Sequence, residues 1–155
     1  MLELKNQPQM IYAAIRGVGP YLDTAGPSFD RLMAWAGPKG LMKPGAKILG
    51  LSWDDPTQVP ADRLRYDAAI TIERPMDLPE GMPIGALPAL TWATMTHKGS
   101  YARISETFGL LMAELRQRRD LVTVDLCGME NYTSPPGTPE PDLRTEVSLP
   151  VVKVA

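Results

Sequence analysis

The sequence predicts an α+β domain built from two copies of one βαββ unit. Three observations carry this: an internal repeat offset by about 80 positions, apolar runs of strand length, and one helical stripe in each half. In the repeat, Arg16-Gly17-Val18-Gly19-Pro20-Tyr21 matches Thr96-His97-Lys98-Gly99-Ser100-Tyr101, with Gly-x-Tyr in both. A longer match places Pro60-Ala61-Asp62-Arg63-Leu64-Arg65-Tyr66-Asp67 79 positions before Pro139-Glu140-Pro141-Asp142-Leu143-Arg144-Thr145-Glu146. At that offset Trp53 pairs with Tyr132. The first landmark is offset by 80, so one insertion or deletion separates the halves. A repeat of this length marks one supersecondary unit used twice.

The elements follow in order. Residues 11–18 and 90–97 are apolar runs of strand length. The first helix opens at Leu22-Asp23-Thr24, carries Phe29, Leu32, Met33 and Ala36 at helical spacing, and stops at Gly37-Pro38. In the second, Ser100 is the N-cap and Ile104, Phe108, Leu111, Met112 and Leu115 form the stripe. Two strands follow each helix: 47–53 with 66–73, and 124–132 with 145–152. The loops between them, 54–64 and 133–143, are rich in Pro, Asp and Gly. The expected organisation is one domain over 1–155: repeat one at about 8–75, a proline-rich linker over 76–88, and repeat two at about 89–154. Two such units side by side give an antiparallel sheet with both helices on one face. The uncovered face then offers a ligand groove at the pseudo-twofold seam.

Composition excludes several classes. The formal net charge is −2, and the one basic cluster, Arg116, Arg118 and Arg119, falls at a helix C-terminus, where cations complement the dipole. Direct nucleic-acid binding is not expected. A single cysteine, Cys127, forbids an internal disulfide. The first residues lack a secretory signal's apolar run, and no stretch reaches the roughly 20 apolar residues of a membrane span. A cytoplasmic protein without membrane contact is expected. One histidine, His97, and one cysteine give no metal-ligand spacing, and no phosphate loop or dinucleotide fingerprint is present. No cofactor is implied.

The residues Gly50-Leu51-Ser52-Trp53-Asp54-Asp55-Pro56, Pro60 and Leu64-Arg65-Tyr66-Asp67-Ala68 resemble the first-half signature of GyrI-like small-molecule-binding domains. Gly99-x-Tyr101, Glu130-x-Tyr132 and Leu143-Arg144-Thr145-Glu146-Val147-x-Leu149-Pro150-Val151 resemble the second. The resemblance implies two SHS2-type modules. It also implies a function as an effector domain of AraC- or MerR-type regulators, or as a stand-alone multidrug-binding, gyrase-inhibitor-like or cyclopropanoid-hydrolysing protein. It assigns to Glu130 the glutamate that receives a ligand's positive charge, and to Tyr132 the neighbouring aromatic. Where the family pattern continues with Asn-Asp-Pro one residue further on, this chain has Thr133-Ser134-Pro135.

Several side chains are candidates for chemistry. A carboxylate in an apolar strand is costly to bury unless it is paired or serves an arriving charge, so Glu130 is either a ligand's counter-charge or a solvated strand end. Strand alternation turns Val147 and Leu149 toward the helix and Glu146 toward the uncovered face; Asp67 is its repeat equivalent. Trp53 and Tyr132, sharing one repeat position, should point to the seam, with Trp92 and Tyr66 as further ring candidates. Core packing is the alternative for each. Met95 and Met129 are adaptable apolar lining. The reading expected is a stand-alone protein that senses or sequesters a hydrophobic, cationic or aromatic small molecule. One alternative is hydrolysis of a strained ring with Glu130 and Tyr132 as catalytic residues; another is an interaction module acting on DNA gyrase. Exposed edge strands would permit a homodimer.

Overall fold

A computed structural model describes residues 1–154. The fold is α+β, and its described residues divide into two compact units. One is Gln9–Pro88. The other joins Met1–Pro8 to the chain from Ala89 onward.

The Gln9–Pro88 unit contains β2 (Met10–Val18), α1 (Tyr21–Ala36), β3 (Ile48–Ser52), β4 (Arg65–Ile72) and β5 (Ile84–Leu87). Its antiparallel sheet runs β5-β2-β4-β3. Directly paired residues share a face, so Ala13 and Ile15 lie with Ala68 and Ile70, and this face meets Leu32 and Ala36 of α1. Small residues on the strands let the helix approach closely. A β-carbon at Gly17 would sit 2.9 Å from Ser28 Oγ and from Thr24 Cβ, so this position excludes any larger side chain without a shift of the helix.

The second unit contains β1 (Glu3–Gln7), β6 (Leu90–Lys98), α2 (Ile104–Gln117), β7 (Leu121–Thr123), β8 (Gly128–Tyr132) and β9 (Arg144–Lys153). Its sheet runs β1-β6-β9-β8, with β7 also pairing β9. Ala93, Val147 and Val151 pack against Ile104, Leu111 and Leu115 of α2. The spacing of those helix residues is the stripe that the sequence predicts. The Ser100 hydroxyl accepts from the Ala102 N–H at 3.2 Å and starts the one-turn helix Tyr101–Arg103 that leads into α2.

The repeat has a visible cause. Gly19 and Gly99 both adopt positive φ, 135° and 107°, where side chains are disfavoured. Their N–H groups donate to the Leu64 and Leu143 carbonyls, each at 2.8 Å. In both units this turn takes the chain off a strand and into the helix.

Three expectations change. The linker contains a strand, β5, which pairs β2. The stretch 124–132 is strand only from Gly128, preceded by the separate β7. The polar segment Glu3–Gln7 is also a strand, joined to β6 through backbone pairing. Among the described residues no helix is long and apolar enough to cross a membrane.

Candidate functional site

Strand β8 reads Gly-Met-Glu-Asn-Tyr, and its alternation separates Glu130 and Tyr132 from Met129 and Asn131. Cross-strand pairing fixes which set faces where. Glu130 lies opposite Val147 and Tyr132 opposite Thr145, so both point to the side on which Val147 meets α2. Glu130 is 8% exposed. The Tyr132 hydroxyl donates a hydrogen bond to the Glu130 carboxylate. The Tyr101 ring meets Tyr132 edge to face, 5.1 Å between centroids at 82°. Burial pushes the Tyr101 hydroxyl's pKa up, which keeps it a neutral donor. Met95 and Phe108, both half-buried, border the same apolar cluster. Thr145 is fully buried, and its hydroxyl has no hydrogen-bond partner among the described residues.

This places a carboxylate in an apolar wall beneath two phenols. A hydrogen bond to a carboxylate is worth about 1.5–3 kcal/mol, so Tyr132 helps fix the position of the Glu130 side chain. An organic cation would find a counter-charge and two ring faces, where cation–π attraction adds about 0.5–2 kcal/mol.

The other predicted residues of this unit lie across the sheet. Glu146 points to the opposite side, half-buried, with Lys5 Nζ at 2.5 Å and Asn131 Nδ2 at 3.4 Å. Met129, opposite Ser148, shares that side. Trp92 is fully buried, opposite Pro150, and its indole N–H has no partner among the described residues. The predicted set is therefore split: Glu130, Tyr132 and Met95 on the helix side, and Glu146, Trp92 and Met129 on the other. A period of two permits nothing else once the register is fixed.

In the Gln9–Pro88 unit, Tyr66 is 1% exposed and packs against the rings of Tyr21 and Phe29, with centroids 5.7 and 6.1 Å away. It is a core residue of the helix side. Trp53 donates its indole N–H to Asp67 at 2.8 Å, and Arg16 grips the same carboxylate in a fork at 2.9 and 3.0 Å. Asp67 and Glu146 are repeat equivalents, and each is held by a cation on the face away from its unit's helix.

The equivalence of Trp53 and Tyr132 does not hold. Ser52 pairs Tyr66, whereas Tyr132 pairs Thr145, the counterpart of Tyr66. Tyr132 thus matches Ser52, Glu130 matches Gly50, and Trp53 matches Thr133. The single-residue deletion lies in the second loop, between β8 and β9. Glu130 and Tyr132 consequently have no counterparts of their kind in the first unit.

His97 is structural. It is 6% exposed, its Nε2–H donates to the Ser100 carbonyl at 2.8 Å, and Nδ1 shares a hydrogen bond with the Thr107 hydroxyl at 2.7 Å. Cys127 is buried. Among the described residues no group of three metal-ligating side chains converges. Tyr101 joins this candidate site from outside the predicted set, and the repeated Gly-x-Tyr is its signal in the sequence.

A profile of the GyrI-like small molecule binding domain matches residues 1–152. The chain belongs to this family. A DNA gyrase inhibitor of Pectobacterium carotovorum is 38% identical over 102 residues, 61% of this chain and 64% of that protein. One of Serratia proteamaculans is 40% identical over 83 residues, 51% of this chain and 52% of that protein. The matched stretches thus span less than two thirds of these relatives. Solved structures share the fold over nearly the whole length. The EcmrR C-terminal domain has a TM-score of 0.79 at 18% identity, covering 99% of this chain and 98% of that one. SAV2435 bound to tetraphenylphosphonium has a TM-score of 0.67 at 14% identity, covering 98% and 94%. A hydrolase from Listeria innocua has a TM-score of 0.66 at 16% identity, covering 98% and 92%.

Proposed function

We propose that this GyrI-like domain binds a hydrophobic organic cation, and so senses or sequesters it, with Glu130 as counter-charge and Tyr132 and Tyr101 as the aromatic wall. One observation carries the reading: a carboxylate only 8% exposed, on an apolar face, next to two phenols packed edge to face. A structural neighbour described with tetraphenylphosphonium bound supports the ligand class. The test is calorimetric titration of the chain with tetraphenylphosphonium, comparing wild type with Glu130→Gln. The substitution keeps the shape and removes the charge, and binding is expected to weaken by about 10- to 100-fold, roughly 1.4–2.8 kcal/mol. Equal affinity in the two proteins would overturn the reading.

A second reading is hydrolysis of a strained-ring compound. It is favoured by the contact between the Tyr132 hydroxyl and Glu130 and by the neighbour described as a hydrolase. Glu130 would take the proton of an attacking water, and Tyr132 would steady the leaving group. Product formation lost in Glu130→Gln would favour it; saturable binding with no product would favour the binding reading. The names of the relatives support a third, inhibition of DNA gyrase. A supercoiling assay unaffected by micromolar protein would remove it.

A further inference from the structure

The Gln9–Pro88 unit carries a hollow that the reading above does not use. It lies on the sheet face away from α1, where Tyr12, Arg16, Trp53 and Asp67 converge beneath Ile84 and Gly85 of β5. Its volume is about 530 Å³, within the range that holds a drug-sized molecule.

Its polar character is one-sided. Asp67 is 2% exposed, and its two oxygens already accept three charge-assisted hydrogen bonds, two from Arg16 and one from Trp53. The carboxylate therefore presents almost nothing to an incoming group. Arg16 is different: its side chain is 42% exposed, and Asp67 takes only two of the five N–H donors of a guanidinium. The remaining donors are held in a fixed plane by the buried carboxylate, at the lip of a cavity walled by an indole and a phenol. A rigid fork with free N–H groups suits a planar oxyanion better than any other partner. The aromatic walls suit a flat apolar body attached to it.

We infer that this hollow is a second ligand site, selective for an aromatic carboxylate, whose oxygens take the outer N–H groups of Arg16 while its ring lies against Trp53. Its charge preference is opposite to that of the Glu130 site, so the domain can hold two chemically distinct molecules.

The test is titration of ¹⁵N-labelled full-length chain with 1-naphthoate, read on the Trp53 indole N–H and the Gly85 amide. Saturable shifts at these positions, at sub-millimolar naphthoate, are expected. Arg16→Lys keeps a cation beside Asp67 but loses the fork, and should weaken binding about tenfold. Ile84→Glu is the second variant, because Ile84 is 42% exposed and its replacement leaves the Asp67 cluster whole. The added charge at the lip should repel naphthoate and also weaken binding about tenfold, even if Arg16→Lys proves unstable. Absence of shifts at Trp53 and Gly85 up to millimolar naphthoate would overturn the inference, as would unchanged affinity in Ile84→Glu.

Discussion

The Asp67 cluster makes an asymmetric prediction about stability. Arg16→Met removes two of the three hydrogen bonds to Asp67 together with its counter-charge. The carboxylate, 2% exposed, then stays buried with the Trp53 indole as its remaining donor. Leaving a buried charge without its ion-pair partner costs about 3–5 kcal/mol. Asp67→Asn strands the other partner instead. Arg16 is 42% exposed, so water can solvate the guanidinium, and the asparagine carbonyl can still accept one of the same donors. The loss should sit at or below the bottom of the range for a hydrogen bond to a charged group, about 1–2 kcal/mol. The double variant should be more stable than Arg16→Met alone, because it no longer buries a bare carboxylate. The assay is urea denaturation at pH 7, with stability taken from the midpoint where the slope is unchanged. Equal costs for the two single variants, or strict additivity in the double variant, would refute the assignment of Asp67 as the buried, dependent member of the pair.

Other outcomes follow from particular contacts. Tyr132→Phe should destabilise the chain by about 1–3 kcal/mol in urea, since it takes a donor from the buried Glu130. Arg118 holds the Asp120 carboxyl down to about 2, so a ¹³C titration should place its midpoint there, and Arg118→Ala should return it toward the ordinary value of about 3.9. Because the folded pKa is the lower one, the stability that Asp120 contributes is present above about pH 4 and fades as pH falls through about 2. The difference in stability between wild type and Asp120→Asn should close over that window. Gly85→Ala places a methyl 2.2 Å from Tyr12 Cζ, so Tyr12 must move. A loss of about 1–3 kcal/mol is expected, readable as a lowered thermal midpoint.

How far the sequence carried each element depends on where its information lies. The helices were legible because their stripes are local: Ile104, Leu111 and Leu115 declare a face without reference to any other segment. The inward and outward sides of β9 were legible for the same reason, with Val147 buried against α2 and Glu146 turned away. The side taken by Glu130 was not. It depends on which residue of β9 stands opposite, and that depends on the length of an intervening loop. Aligned at the offset of the longer match, Glu130 falls on Leu51, which faces Asp67 and the far side. One residue removed from the loop moves it onto Gly50, and the side chain turns to the helix. Strand β1, polar except for Leu4, is held by backbone pairing to a segment about 90 residues away, and leaves little local trace. Strand β5 is four residues between Pro83 and Pro88, positions where proline is compatible with an edge but masks the strand signal. Arg16 shows in the sequence only as part of a repeat landmark, because its partner lies 51 positions on.

The pairing of Glu3 with Thr94 also sets an order of assembly. All strands of the Gln9–Pro88 unit come from one uninterrupted stretch, so a nascent chain can complete that unit as soon as Pro88 has emerged. Strand β1, which is synthesised before that unit, is excluded from this. It must wait for β6, roughly 90 residues later, which at common rates of synthesis is about 5–20 s. During that interval Glu3–Gln7 is an open strand edge. Its composition, Glu-Leu-Lys-Asn-Gln, places charge and amide groups where an apolar edge would recruit neighbouring chains. The same polarity that hides β1 from pattern reading therefore protects the protein while it is being made.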